Sequence, residues 1–309
     1  MSFSMDVKEE LQKHISSSRH CQIAEMASYV IHLAQLLPEK NVLVFHSENE
    51  GLIRKVFTLL KKTYNINSVV EESQAIRTIR EKSFRIIIKE EEEIKRILQS
   101  VKTEFPFADT VNNLLIKNSC CKRAFLRGSF LCMGSMSNPD KSYHLEMVSE
   151  SKEQLEQLKG IIADFDIACK ITKRKKYYVL YLKEGAAIVD LLNIIGAHVS
   201  LMNMENVIIL KDVRNSLNRR VNCETANIVK SVNAASRQIE DIRFLEKNYG
   251  FHKLPESLMQ IAEVRLENPE TPLKELGELL VPPIGKSGVN HRLRRLSELA
   301  DKLRGGEKE

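Results

Sequence analysis

Near the end of the chain, one short stretch gathers side chains suited to work on a nucleic acid. It holds Lys286, Ser287, Gly288, Asn290, His291, Arg292, Arg294 and Arg295. Asparagine and arginine can make paired hydrogen bonds to base edges, and lysine and serine suit phosphate oxygens. From Pro282 to Arg304 there are six Lys/Arg and two Asp/Glu, a local net charge of +4. A helix starting here would also present free backbone amides and the positive end of its dipole to phosphate. A solvated basic face would have much the same composition. The length of the segment, the loop before it and its polar first turn together favour binding to double-stranded DNA.

Two further basic groups stand upstream. KITKRKKYY, residues 170–178, has five basic residues in seven positions across an expected hairpin. Its Lys173, Arg174, Lys175 and Lys176 could grip phosphates, or simply solvate a hairpin tip. Asn218, Arg219, Arg220, Asn222 and Asn227 carry amide and guanidinium donors. These suit DNA contacts, or buried hydrogen bonds joining two domains. Glu90–Glu93 would repel DNA, so a helix over 90–101 should face away from it. Tyr177, Tyr178 and Tyr181 read as strand packing. The cysteines, Cys21, Cys120, Cys121, Cys132, Cys169 and Cys223, are scattered and form no CxxC pair with histidine partners. That spacing predicts reduced thiols in a cytoplasmic protein, with no metal site and no cofactor.

Three helices must position the C-terminal group. The first spans Pro255–Leu266 and stops at Asn268-Pro269. Thr271 should cap the second, with Pro272 at its first position and LKELGELL following. After the turn VPPIGKSG, Ser287 should cap the third, whose inward face is Val289, Leu293, Leu296, Leu299 and Leu303. Two short amphipathic helices and a longer third one make a helix-turn-helix. Upstream, residues 212–247 lack Gly and Pro and carry one apolar stripe, Ile228, Val232, Ala235, Ile239, Ile242 and Leu245. NYGFHKLP then acts as a linker. Before Gly196 a pattern occurs twice. It reads helix 20–37, strand 41–46, helix 49–63, strands 66–70 and 84–89, helix 90–101. It reads again as helix 119–133, strand 143–149, helix 151–165, strands 167–172 and 177–182, helix 184–194. An internal duplication follows. The fold class is α+β. The expected domains are 1–210 in two halves (1–105 and 106–210), a helical linker region 211–254, and a DNA-binding domain 255–309.

The 309 residues are 43% hydrophobic with a net charge of +6, enough for sizeable cores and only a mild lean toward acidic partners. No apolar window is long enough to cross a membrane. MSFSMDVKEELQKH has no apolar core and does not read as a signal peptide.

The run LKELGELLVPPIGKSGVNHRLRRLSELADKL closely resembles the C-terminal motif of the WhiA family of bacterial sporulation and cell-division regulators. NSLNRRVNCETANIVKSVNAASRQIEDI (215–242) resembles the same family, and FLRGSFLCMGSMSNPDKSYHLE (125–146) looks like its central motif. The resemblance implies a degenerate two-fold domain similar to a LAGLIDADG homing endonuclease, followed by an all-α helix-turn-helix like a sigma factor's promoter-reading domain. The two endonuclease-type motifs would be MASYVIHLA (26–34) and LRGSFLCMG (126–134). Active enzymes carry a metal-binding acid at the eighth position, where this chain has Leu33 and Met133. The nearest acid in the first helix is Glu25. Ala27, Gly128, Ser129 and Gly134 suit close helix packing. The expected protein is therefore not an enzyme. It is a sequence-specific transcriptional regulator acting in sporulation, cell division or chromosome segregation, in the cytoplasm and on the nucleoid. Its expected partners are double-stranded DNA, other transcription regulators and a sigma factor of RNA polymerase. The alternatives are a nucleoid-associated interaction protein without strong sequence preference, and an active DNA endonuclease.

Overall fold

Alternating apolar residues give each half of the N-terminal region one four-stranded antiparallel sheet, and amphipathic helices cover one face of it. The structure, a computed structural model, describes residues 2–37, 41–74, 82–103 and 107–306. The chain divides into two compact units, 1–211 and 212–309.

In the first unit, α1 (Phe3–Lys13) precedes the first repeat. That repeat comprises α2 (Arg19–Leu33), β1 (Ala34–Leu37), β2 (Val42–Ser47), α3 (Glu50–Leu59), β3 (Val70–Gln74), β4 (Lys82–Ile88) and α4 (Glu91–Ser100). The second repeat is α5 (Ser119–Met133), β5 (Gly134–Met136), β6 (Leu145–Ser149), α6 (Lys152–Ala163), β7 (Lys170–Arg174), β8 (Tyr177–Leu182) and α7 (Gly185–Ile195). The strand orders match, β1-β2-β4-β3 and β5-β6-β8-β7. Leu43 opposite Ile88 and Phe45 opposite Ile86 face the core in one sheet, as Leu145 opposite Leu182 and Met147 opposite Leu180 do in the other. α2 and α5 cross at the centre, and one continuous core joins both halves.

Several boundaries differ from the expectation. The helix expected to reach Leu37 ends at Leu33, because Ala34–Leu37 pairs with Val42–Phe45 as β1. A partner strand outweighs local helix preference here. The helix expected over 49–63 turns π-helical at Leu60–Tyr64 and stops at Asn65, whose φ is 59°. The strand expected at 66–70 lies at Val70–Gln74. Besides β1, two further elements were not anticipated. α1 is capped by Ser2 and buries Val7 and Leu11, and β5 is only three residues long.

The division between the units falls inside α8 (His198–Asn248), which begins well before Asp212. Ile228 and Val232 of its apolar stripe are exposed, while Ile242 and Leu245 are buried. The second unit adds α9 (Glu256–Glu267), α10 (Leu273–Glu278) and α11 (Lys286–Gly306). Its core unites Ile242, Leu258, Ile261, Leu276, Val289, Leu293, Leu296 and Ala300. The turn before α11 folds tightly back on α10. Ile284 N–H donates to the Gly277 carbonyl at 3.0 Å, and a side chain at position 277 would collide with the Ile284 backbone.

Candidate nucleic-acid interface

α11 presents two opposed faces. Val289, Leu293, Leu296 and Ala300 are buried at helical spacing and fix its roll against α9 and α10. On a helix of 3.6 residues per turn, Ser287, His291, Arg294 and Arg295 then stand on the opposite side, with Asn290 at one flank. All five are exposed, as is Lys286. Gly288 is half-buried against Ile284. Arg292 stands at the other flank, half-buried, and donates to the Ser257 carbonyl of α9 at 3.3 Å. Arg294 Nε lies 3.0 Å from Glu298 Oε1 in an exposed pair. Such a pair contributes little and yields readily to a phosphate or base. Arg295 has no ion pair among the described residues. Two caps differ from expectation. Lys286 opens α11, so Ser287 sits inside the first turn and the Gly285 carbonyl accepts the first bond, from Val289 N–H at 3.1 Å. Pro272, not Thr271, precedes α10.

The far end of α11 is clamped. Arg304 donates to buried Asp241 of α8 at 2.7 Å, and its guanidinium lies 4.6 Å from the centre of the Phe244 ring. Arg237 of α8 reaches Asp301 at 3.3 Å.

In the first unit, β7 and β8 form the expected hairpin, with Lys175 at φ 58° in a two-residue turn. Lys173, Arg174, Lys175 and Lys176 are all exposed. Three have neighbours that orient them. Lys173 lies over the Tyr178 ring at 5.6 Å, and Lys176 over Tyr177 at 4.8 Å and beside Glu150 at 3.2 Å. Arg174 is 3.5 Å from Glu146, which also meets His144 at 3.1 Å. The tyrosines thus carry cations as well as packing the strands. The sheet face turned away from the helices carries Lys170, Thr172, Arg174, Tyr177 and Tyr181 in register. Asn218, Arg219, Arg220, Asn222 and Asn227 are all exposed on α8. Arg220 pairs with Glu224 at 3.2 Å.

The crossing of α2 and α5 brings together the two segments expected to be endonuclease-type motifs. Gly128 meets Ser28 so closely that an added Cβ would strike the Ser28 hydroxyl. Leu33 and Met133 are half-buried at the C-terminal ends of the two helices, and neither can ligate a hard divalent cation. Glu25 is fully buried and occupied elsewhere. Lys55 Nζ lies 2.6 Å from it, Arg127 at 3.3 Å, and Tyr29 donates its hydroxyl at 3.0 Å. Lys55 also donates to the Leu11 carbonyl, and Arg127 to that of Ile195. Burial lowers the pKa of Lys55 and raises that of Tyr29. His32 lies 3.3 Å from Ser129, and burial lowers its pKa to about 4.

At the other end of the same helix pair, His20, Cys21, Cys120 and Cys121 converge with their ligand atoms within 4.8 Å of one another. Among the described residues this is the one group of three or more His, Cys, Asp or Glu side chains able to hold a metal. Burial and the neighbouring thiols push Cys121 up to about 12. The spacing along the chain concealed this group. Its signal was the offset of 100 between the two motif segments, which also pairs His20 with Cys120 and Cys21 with Cys121.

Comparison with known proteins matches the description "WhiA C-terminal HTH domain" over residues 217–300 and "WhiA LAGLIDADG-like domain" over residues 37–117 and 122–214. A "Probable cell division protein WhiA" from Lachnoclostridium phytofermentans is 49% identical over 314 residues, covering 98% of this chain and 100% of its own. One of the same name from Clostridium botulinum is 43% identical, covering 99% and 100%. The crystal structure of full-length WhiA from Thermotoga maritima superposes with a TM-score of 0.60 at 27% identity, over 98% of this chain and 99% of that one.

Proposed function

We propose that this chain, which belongs to the WhiA family, is a non-enzymatic, sequence-specific DNA-binding transcriptional regulator acting in sporulation or in cell division and chromosome segregation, and that α11 reads its target. The observation that carries the reading is the division of α11 into a buried apolar stripe and an exposed face of Ser287, Asn290, His291, Arg294 and Arg295. The first face sets the helix at a fixed roll, and the second is free to enter a major groove. Lys286 and the open first turn take a phosphate. Gly288 keeps that turn slim. Arg292 sits at the rim, where it fixes the helix to α9 and can reach backbone phosphate.

The LAGLIDADG-like domain adds sequence-independent affinity through Arg174, on the sheet face that this fold class turns toward DNA, and through Lys173, Lys175 and Lys176 around the tip of the same hairpin. Asn218, Arg219, Arg220, Asn222 and Asn227 form a further polar surface for DNA or for a protein partner such as another regulator or a sigma factor. This domain does not cut. Leu33 and Met133 lack carboxylates, and Glu25 is committed to Lys55 and Arg127. The protein acts in the cytoplasm, on the nucleoid.

Two assays test this. A supercoiled plasmid incubated with the protein and Mg²⁺ should remain uncut, and nicking would overturn the non-enzymatic reading. Binding sites selected from a random duplex pool should converge on one motif. A pool that stays random would favour a nucleoid-associated protein without sequence preference.

A further inference from the structure

We propose that His20, Cys21, Cys120 and Cys121 form a structural zinc site that clamps the first turns of α2 and α5 together. His20 Nδ1 lies 3.2 Å from Cys121 Sγ, 3.3 Å from Cys21 Sγ and 4.0 Å from Cys120 Sγ. Tetrahedral zinc with bonds of about 2.3 Å to sulfur sets its ligand atoms about 3.8 Å apart. The observed atoms, all within 4.8 Å of one another, need only small side-chain rotations to reach that shape.

The chemistry of the set favours zinc. Three thiolates and one imidazole suit this borderline-soft ion and do not suit magnesium or calcium. Four protein ligands leave no open position, so the site is closed and structural. Its surroundings fit as well. Cys21 and Cys121 are buried beside Ala24 and Ala124, a dry floor. His20 and Cys120 are exposed and give the metal a way in. Both helices begin here, at Arg19 and Ser119, so the positive ends of two helix dipoles face the negative charge that the ligating sulfurs carry once a metal is bound. The ligands also obey the duplication. His20 and Cys120 are equivalent positions, as are Cys21 and Cys121, so two adjacent residues in each half make one complete site. It lies at the opposite end of the helices from Leu33 and Met133, and it binds the two halves to each other.

The test uses the untagged full-length protein, purified in reductant without chelators. Elemental analysis should find one zinc per chain. Replacement by Co²⁺ should produce thiolate-to-cobalt charge transfer and the intense d–d bands of a tetrahedral site. His20→Ala and Cys120→Ser change exposed ligands and should leave the circular dichroism spectrum unaltered. In competition with a chromophoric chelator, each should weaken zinc binding by more than the roughly 10- to 100-fold that losing an outer-shell partner costs. Cys223→Ser, an exposed thiol outside the group, should leave it unchanged. Zinc held equally well by wild type and the His20→Ala/Cys120→Ser double variant would overturn the proposal. So would an octahedral cobalt spectrum, or a disulfide within the group in the protein as isolated.

Discussion

Arg294 and Arg295 are adjacent and chemically alike, yet the fold treats them differently. Arg294 leans on Glu298 while Arg295 has no ion pair among the described residues. Both extend from a helix whose roll is fixed from behind, so Arg295→Ala and Asn290→Ala should each weaken specific DNA binding by about 1–3 kcal/mol. Fluorescence anisotropy on the selected site and on a scrambled duplex would show the loss on the first and little change on the second. Arg292 was legible in the sequence as a basic residue of this stretch, but its bond to the Ser257 carbonyl was not. That bond joins residues far apart in the chain, and helix periodicity is blind to it. Glu25 gives the same lesson more sharply. Its place ahead of the motif was visible, while its enclosure by Lys55, Arg127 and Tyr29 depends on three elements meeting. Removing that carboxylate would strand two buried cations. Glu25→Ala should therefore cost about 3–5 kcal/mol in urea unfolding, and an unchanged midpoint would show that the network contributes nothing.

Among the elements, the crossing of α2 and α5 sets the tightest constraint. Gly128→Val would force Ser28 and the backbone of α2 apart, an overpacking penalty of about 1–3 kcal/mol. Ser28→Gly in the same chain should recover part of it, as thermal melting would report. The crossing also makes stability depend on pH. His32 has a folded pKa of about 4 because burial disfavours its charge, against about 6.5 in an unfolded chain. Between those values the unfolded state binds a proton that the folded state refuses. Stability must then rise with pH, and it falls as pH drops from about 6.5 toward 4. Denaturant midpoints of wild type should show that slope and His32→Gln should flatten it; equal slopes would exclude His32 as the source. Element types were largely readable from apolar periodicity, which is why the two repeats and the helices of the C-terminal unit were anticipated. The ends were less so. β1 needs β2 beside it before Ala34–Leu37 extends, and three-residue β5 is too short to show any period.

At the scale of the molecule, a helix-turn-helix domain is joined to a LAGLIDADG-like domain, and under the proposed function the basic hairpin of the latter has a second, electrostatic share of DNA affinity. The long-range part must be sensitive to salt, since neutralising each phosphate releases condensed counterions. Replacing Lys173, Lys175 and Lys176 with glutamine should reduce the slope of log affinity against log salt by about 0.9 for each phosphate no longer neutralised, leaving sequence preference intact. An unchanged slope would place the hairpin away from DNA. Whether α11 reads the bases is tested most directly by hydroxyl-radical and base-methylation footprints of the bound selected site. In the wild-type complex, guanine N7 positions in one major-groove segment should be protected. With Asn290→Ala and Arg295→Ala together, that base protection should vanish at saturating protein while protection of the flanking backbone persists. Base protection that survives both substitutions in a folded protein would contradict the account and place the reading surface elsewhere.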